Sequence, residues 1–273
     1  MKIATWNVNS IRARLEHVGQ WLQENPVDVL CLQETKVVDE NFPRSPFLDL
    51  GYQLYISGQK AYNGVAMLSR SALSDVSIGF APILGEDVVG ELDEQKRVIT
   101  GVIEDIRIVN LYVPNGSAVG SEKYFYKLRW LKALREYLQV LLLKPSNTAM
   151  SVAAQPPSHL LICGDFNIAL EDRDIHDPSD RERKIMASDA EREALRAVLD
   201  LGLADVFRKF TPEGGHFSWW DYRTAAFRRN LGWRIDHHYL TPDLYARAIA
   251  CTIDVAPRKL PQPSDHAPVI VEL

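Results

Sequence analysis

Three cysteines, Cys31, Cys163 and Cys251, are too few and odd in number for a disulfide framework. Each sits in a strand-like apolar context, so buried thiols in a reducing compartment are expected. No apolar run approaches the roughly 20 residues that a membrane-spanning helix needs, so no membrane association is expected. The pattern of a cleavable signal peptide is missing as well: Asn7 and Asn9 interrupt the first apolar run, and Arg12 and Arg14 follow at once. Cytoplasm is the expected location. No repeat recurs at a solenoid period. A strong charge of either sign is also lacking, since 31 Lys and Arg stand against 36 Asp and Glu for a net charge of −5. That balance does not advertise a nucleic-acid binder, but a local patch decides such binding, not the sum.

What remains is the composition of an ordinary soluble globular protein, 46% hydrophobic and 25% charged over 273 residues, long enough to bury a substantial core. Apolar or alternating runs predict strands at 1–6, 27–33, 52–57, 63–69, 97–103, 106–113, 159–164, 234–240 and 267–272. Three helices are predicted among them. Ser10 caps one that runs to Glu24, with Ile11, Leu15, Val18 and Leu22 on one face. Ser121 caps a second, striped by Tyr124, Leu128, Leu131, Leu134, Leu138 and Leu141. Ser188-Asp189-Ala190-Glu191 is a capping box that opens a third, and Gly202 ends it. The Pro-, Ser- and Ala-rich stretch 144–158 reads as an exposed loop, because polar motifs that belong together lie on both sides of it. Mixed strands and helices around two sheets, in a single domain spanning 1–273, are the expected outcome.

Short polar strings stand at the ends of the apolar runs. Asn7 follows the first, Glu34 follows Val29-Leu30-Cys31-Leu32-Gln33, Gly164-Asp165-Phe166-Asn167 follows Leu160-Leu161-Ile162-Cys163, and Ser264-Asp265-His266 precedes Ala267-Pro268-Val269. A buried strand that ends in an acid or amide aims that group at a rim, and several such ends suggest one shared site. Its hard oxygen ligands favour magnesium or manganese over zinc. Asp165 and Asn167, two apart, face one way on an extended segment. Asp236 can orient His266 as the carboxylate of a catalytic triad orients its imidazole. Tyr112 and Asn115 add a phenol and an amide at another strand end. Taken singly, each has a bland explanation: Asn7 and Asp165-Phe166-Asn167 as turn formers, Tyr112 as core, Asp236 as a partner of Arg234. Their ordered co-occurrence favours the site. His237-His238 does not add to it, because neighbours on a strand point apart.

The pattern resembles the exonuclease III type of apurinic/apyrimidinic endonucleases, in the bacterial branch of the endonuclease/exonuclease/phosphatase superfamily. The likeness runs essentially end to end. It rests on Trp6-Asn7-Val8-Asn9-Ser10-Ile11-Arg12, Leu32-Gln33-Glu34-Thr35-Lys36, Asn63-Gly64-Val65-Ala66, Asn110-Leu111-Tyr112-Val113-Pro114, Gly164-Asp165-Phe166-Asn167, Trp219-Trp220-Asp221-Tyr222-Arg223, Arg234-Ile235-Asp236 and Ser264-Asp265-His266-Ala267-Pro268. The resemblance implies a four-layered α/β sandwich, two packed mixed β-sheets flanked by helices. It implies a DNA repair hydrolase that uses Mg²⁺, with Mn²⁺ able to substitute, to direct water at the phosphodiester 5′ to an abasic site. The implied substrates are double-stranded DNA with abasic sites or blocked 3′ ends, so 3′→5′ exonuclease and 3′-end-cleaning work belong to the same reading, and the implied enzyme is a monomer. By position, Glu34 is the main metal ligand, with Asn7 and Asp265 near the metal and Asp165, Asn167 and His266 completing the metal-side set. Asp165 activates or orients water, Asn167 binds phosphate, Tyr112 stabilises it, and His266 pairs with Asp236. Whether Asp165 or His266 takes the proton stays open.

Between Trp219 and Arg234, aromatic and cationic residues interleave: Trp219, Trp220, Tyr222, Arg223, Phe227, Arg228, Arg229 and Trp233. In the resemblance this segment, with Asn115 opposite, covers an abasic sugar and wedges the duplex; a nucleotide without its base is easier to extrude. Lys123, Lys127, Arg129, Lys132 and Arg135 are read as backbone-contacting or simply solvated cations. The nearest rival is a phosphoesterase of the same scaffold acting on inositol phosphates, sphingomyelin or RNA, which has no need of a duplex wedge. A DNA-binding pseudoenzyme is disfavoured, because every matched position keeps a competent residue.

Overall fold

A computed structural model describes residues 1–143 and 159–273; the stretch 144–158, expected as an exposed loop, lies outside the described residues. The strands are β1 (Lys2–Asn7), β2 (Val29–Gln33), β3 (Gln53–Ser57), β4 (Val65–Ser69), β5 (Ser74–Ile78), β6 (Val98–Ile103), β7 (Ile106–Tyr112), β8 (His159–Asp165), β9 (Ala204–Asp205), β10 (Asp236–Leu240), β11 (Ala250–Ile253) and β12 (Val269–Glu272). They form two six-stranded sheets, ordered β11-β12-β1-β2-β4-β3 and β5-β6-β7-β8-β10-β9.

Each sheet is antiparallel except for one central parallel pair, β1 with β2 and β7 with β8. Parallel neighbours need a crossover, usually helical. Here the helices Leu15–Glu24 and Glu122–Leu143 lie in the two crossovers. Parallel strands end at the same edge, so Asn7, Gln33, Tyr112 and Asp165 close their strands on one rim. β10 and β12 run against β8 and β1, so their first residues return to that rim: Asp236 sits opposite Asp165, and Asp265 and His266 lie just ahead of Val269. The topology itself therefore gathers the polar strand ends.

Side-chain alternation builds the layers. Ile3 of β1 packs between the sheets with Val29, Cys31, Leu161, Cys163 and Val271, while Ala4 and Trp6 turn outward to Val18 and Leu22 of the first helix. On the far side, Val109, Leu111, Leu160 and Ile162 meet Trp130, Leu134 and Leu138 of the second crossover helix and Leu195 and Val198 of the helix Asp189–Leu199. The result is the helix–sheet–sheet–helix sandwich that the resemblance implied. Among the described residues no helix is long and apolar enough to cross a membrane, and all three cysteines are buried and unpaired.

Local signals fared unequally. Ser121 Oγ accepts from Tyr124 N at 3.2 Å at the start of its helix, and Ser188 and Glu191 form the reciprocal capping box. Ser10 does not cap: the first helix starts at Leu15 with no side-chain cap, and Ser10 (φ +90°) closes a preceding turn through Ala13 N at 3.4 Å. Three strands escaped prediction, β5, β9 and β11. All lie at sheet edges and are short, and β5 carries mostly exposed, polar side chains; edges favour such residues.

A buried ionic network braces the β8–β10 side of the rim. Arg234 donates to Asp174 at 2.7 Å and to Asp205 at 2.6 and 3.2 Å, and Arg208 also bonds Asp174. Burial raises the Asp174 carboxyl, yet Arg234, His237 and Arg208 outweigh it and bring it to about 2. Removing one partner of a buried pair strands the other, so Asp174→Ala is expected to cost about 3–5 kcal/mol in urea unfolding. A loss below about 1 kcal/mol would mean that the arginines find water or other acceptors.

Candidate active site

Gly164 lets Asp165 reach the rim. Its φ is +142°, and a Cβ there would lie 1.9 Å from the Leu111 carbonyl oxygen of the adjacent strand, so only glycine fits. Several non-glycine residues with left-handed backbone also gather here: Asn9 (φ +46°), Glu34 (+51°), Lys36 (+54°) and Asn167 (+50°). Such conformations are held only where the surroundings enforce them, often at functional sites.

Asn7 stands at the centre. Its Nδ2 donates to Glu34 Oε1 at 3.0 Å and to Asp165 Oδ2 at 2.9 Å, bringing the two sheets' carboxylates to one amide. Lys36 Nζ lies 2.7 Å from the other Glu34 oxygen and donates to Asn9 Oδ1 at 2.5 Å. Burial raises the Glu34 carboxyl, but the Lys36 ammonium, the Asn7 amide and His266 outweigh it and hold it below the usual range. Asp265 accepts from Asn9 Nδ2 at 3.0 Å and Trp219 Nε1 at 2.9 Å, and it is likewise held low against burial by His266 and these donors.

His266 lies between two carboxylates. Asp236 holds its Nδ1 at 2.9 and 3.1 Å, and Asp165 Oδ2 lies 3.7 Å from its Nε2. Burial lowers the imidazole, but Asp236 and Asp165 prevail and raise it to about 10. Asp165 rises to about 7, driven first by burial and then by Asp236 and Glu34, against the pull of His266. Tyr112 goes well above its ordinary value through burial and the nearby Glu34 and Asp165 charges, so it keeps its proton; Arg97 lies 4.5 Å over its ring. Asn167 donates Nδ2 to Val113 O at 3.0 Å and accepts Asn115 Nδ2 at 2.9 Å.

These contacts bear on where a divalent cation fits. Asp165, Asp236 and His266 have ligand atoms within 4.8 Å of one another. Both imidazole nitrogens face carboxylates, so His266 would ligate a cation from its neutral form. Asn167 Oδ1 accepts one hydrogen bond and keeps a second lone pair. Glu34 fits better, as an ionised hard-oxygen donor whose side chain keeps 18% exposure and already attracts a cation, Lys36.

The aromatic–basic segment divides. Trp219 is half-buried beside the rim, and Arg223, Arg228 and Arg229 are exposed. Trp220 is 2% exposed, stacked edge-on to Phe227 in a small core of its own, and Trp233 is 8% exposed. Neither presents a face to a duplex; both hold the loop. Asn115 is exposed and borders an open cleft of about 770 Å³ that runs from Tyr112 past Arg97, Tyr62 and Tyr126. His237 and His238 bond separate carbonyls, Ile168 at 2.9 Å and Val269 at 3.0 Å, and share nothing.

Several supporting residues were not singled out from the sequence. Ser218 Oγ donates to Asp236 Oδ2 at 2.7 Å, and Ser264 Oγ donates to Asn7 O at 2.7 Å. Gln33 and Asn110 staple the sheets behind the site: Gln33 Nε2 donates to Thr5 Oγ1 (2.8 Å) and Asn110 Oδ1 (2.7 Å), and Asn110 Nδ2 to Leu32 O and Ala66 O. Their one signal was polarity in the middle or at the last step of an apolar strand.

The model of the endonuclease/exonuclease/phosphatase family matches residues 4–266. An exodeoxyribonuclease of Bacillus subtilis is 32% identical over 274 residues, covering 98% of both chains. Among solved structures, a 3′ phosphatase from Neisseria bound to product DNA hairpin is 40% identical with a TM-score of 0.90, covering 100% of this chain and 99% of that one. An AP endonuclease from Archaeoglobus fulgidus is 39% identical with a TM-score of 0.88 over the same shares. With both sheets, the rim and nearly the whole length accounted for, the chain belongs to the endonuclease/exonuclease/phosphatase family.

Proposed function

We propose that this protein is a DNA repair nuclease that hydrolyses the phosphodiester 5′ to an abasic site in duplex DNA, and that the same site trims blocked 3′ ends. The observation that carries the reading is the Asn7 amide joining Glu34 to Asp165, with His266 and Asp236 beside it. The AP endonuclease, the 3′ phosphatase and the exodeoxyribonuclease among its relatives supply the substrate class. Domain 1–273 acts as one unit in this reading, because the site draws residues from both sheets.

Glu34, with Asn7 and Asp165 adjacent and Asp265, Asn167 and His266 along the rim, would hold Mg²⁺, or Mn²⁺ in its place, which would polarise the phosphoryl oxygen and offset its charge. Asp165 takes the proton from the attacking water. Its value of about 7 suits a base at neutral pH. His266, raised well above its ordinary value by Asp236 and Asp165, brings a proton to stabilise the phosphoryl oxygens. Asn167, Asn115 and the Tyr112 phenol donate to the phosphate. Trp219, Arg223, Arg228 and Arg229 flank the lesion.

The deciding assay uses a duplex with one tetrahydrofuran abasic analogue and a second duplex ending in a 3′-phosphate, each with Mg²⁺ or EDTA. Incision immediately 5′ to the analogue in Mg²⁺ and none in EDTA is expected. Equal cutting in EDTA defeats the metal assignment, and release of the 3′-phosphate without incision restricts the enzyme to end cleaning. Trp219→Ala is expected to reduce discrimination between abasic and intact duplex by roughly five- to 150-fold, the scale of one lost stacking contact. An unchanged ratio of the two Kd values would remove Trp219 from lesion recognition.

A further inference from the structure

The sequence offered Lys127 as one of five cations on a solvated helix face. Its side chain is instead fully buried, as is that of Glu191, its partner at 2.5 Å. We infer that Lys127 and Glu191 are positioning residues for the reaction: an ammonium behind the site locks together the two loops that present Asn115 and Asn167 to the phosphate. The inference rests on reading those two amides as phosphate donors.

Lys127 projects from the helix Glu122–Leu143 and uses three donors on three acceptors. These are Glu191 Oε1, the main-chain carbonyl of Asn167 at 2.7 Å and that of Asn115 at 3.2 Å. The first carbonyl belongs to the loop after β8 and the second to the loop after β7. The side chains of the same two residues meet as well, Asn115 Nδ2 donating to Asn167 Oδ1 at 2.9 Å. Asn167 sits at φ +50°, a backbone conformation that needs enforcement, and Lys127 holds its carbonyl from below. Glu191 is fixed in turn, accepting from Met186 N at 3.1 Å, Ser188 N at 3.1 Å and Ser188 Oγ at 2.7 Å.

A buried ion pair by itself gains little net energy over apolar residues of similar volume, so stability alone does not account for this one. What leucine or methionine cannot do is donate to two loop carbonyls at once. The stem of Lys127 also forms the floor of the loop after β7, because a Cβ on Gly116 would lie 3.3 Å from Lys127 Cδ. Substrate never touches this pair; its effect passes through the two amides.

The test is a double-mutant cycle on single-turnover cleavage in Mg²⁺. Lys127→Met and, separately, Glu191→Gln are expected to slow cleavage about 10–100-fold, the usual scale for a residue that orients a contacting group. Duplex Kd is expected to stay within about two-fold, and in an Asn167→Ala background the same replacements are expected to change the rate by less than about two-fold. Equal losses in both backgrounds overturn the inference, as does a lowered Tm with an unaltered rate in the folded protein. Should Lys127→Met not fold, Glu191→Gln, which keeps the shape and an acceptor oxygen, carries the cycle. A readout independent of cleavage is the side-chain amide NMR signals of Asn115 and Asn167 in Glu191→Gln. Shifted or broadened signals support the inference, and unchanged ones overturn it even if the protein cuts none of the DNA substrates, an outcome that would defeat the proposed function instead.

Discussion

Asp165→Asn is expected to slow cleavage roughly 10³-fold while the protein still folds and binds duplex, because a general base contributes about 10²–10⁴-fold and an amide cannot take a proton. The replacement is nearly isosteric. Asn7 Nδ2 and the Asn167 backbone N–H each need an acceptor at this position, and one amide oxygen can serve only one of them well. A modest loss of Tm therefore accompanies the loss of rate. The second consequence is electrostatic. Asp165 is one of the three carboxylates, with Asp236 and Asp265, that raise His266 to about 10, so the imidazole in Asp165→Asn should titrate lower. Histidine NMR in metal-free protein reads that directly. A variant that cleaves at more than a tenth of the normal single-turnover rate would remove Asp165 from proton transfer and leave it as a scaffold for Asn7.

Much of this site could be read along the chain because it is built from strand ends. Asn7, Glu34, Tyr112 and Asp165 each terminate a run whose apolar alternation is plain, and the parallel pairs carry all four to one edge. Ser264-Asp265-His266 and Asp236 are legible for the mirror-image reason, as starts of strands that run the other way. The layers followed from the same alternation: Ile3 inward and Trp6 outward on one strand already require a sheet between a second sheet and a helix.

What stayed hidden depends on tertiary partners that periodicity does not encode. Lys127 falls on the buried stripe of its helix between Tyr124 and Leu131, yet lysine as a residue type reads as solvated, and only the two loop carbonyls and Glu191 make its burial tolerable. Trp219 and Trp220 look alike as letters, yet one bonds Asp265 at the rim and the other fills a satellite core with Phe227. That Asp165 lies near the Nε2 of His266, across the ring from the Asp236 on Nδ1, is likewise visible only in the fold. Strands β5, β9 and β11 were missed because edge strands are short or solvated and carry little apolar signal.

His266→Gln should cost roughly 10²–10³-fold in single-turnover rate, the usual loss when one preorganised donor to a developing oxyanion is removed. Asp236→Asn should cost a comparable factor, because an amide no longer fixes the ring or holds its charge; Ser218 Oγ, now bonded to Asp236 Oδ2, would have no carboxylate to orient. If the two act as a unit, the double variant loses little more than the worse single one. Multiplicative losses would separate them. The pair also writes a pH dependence into the metal-free fold. His266 is raised from 6.5 to about 10, so its contribution to stability is complete below pH 6.5 and disappears as pH climbs through 10. Tm should therefore fall across that alkaline window, and fall less in Asp236→Asn, whose imidazole has lost its principal anionic partner. A Tm profile of the same slope in both proteins would show that His266 owes its proton to some other group, and the charge attributed to it at the phosphate would lose its source.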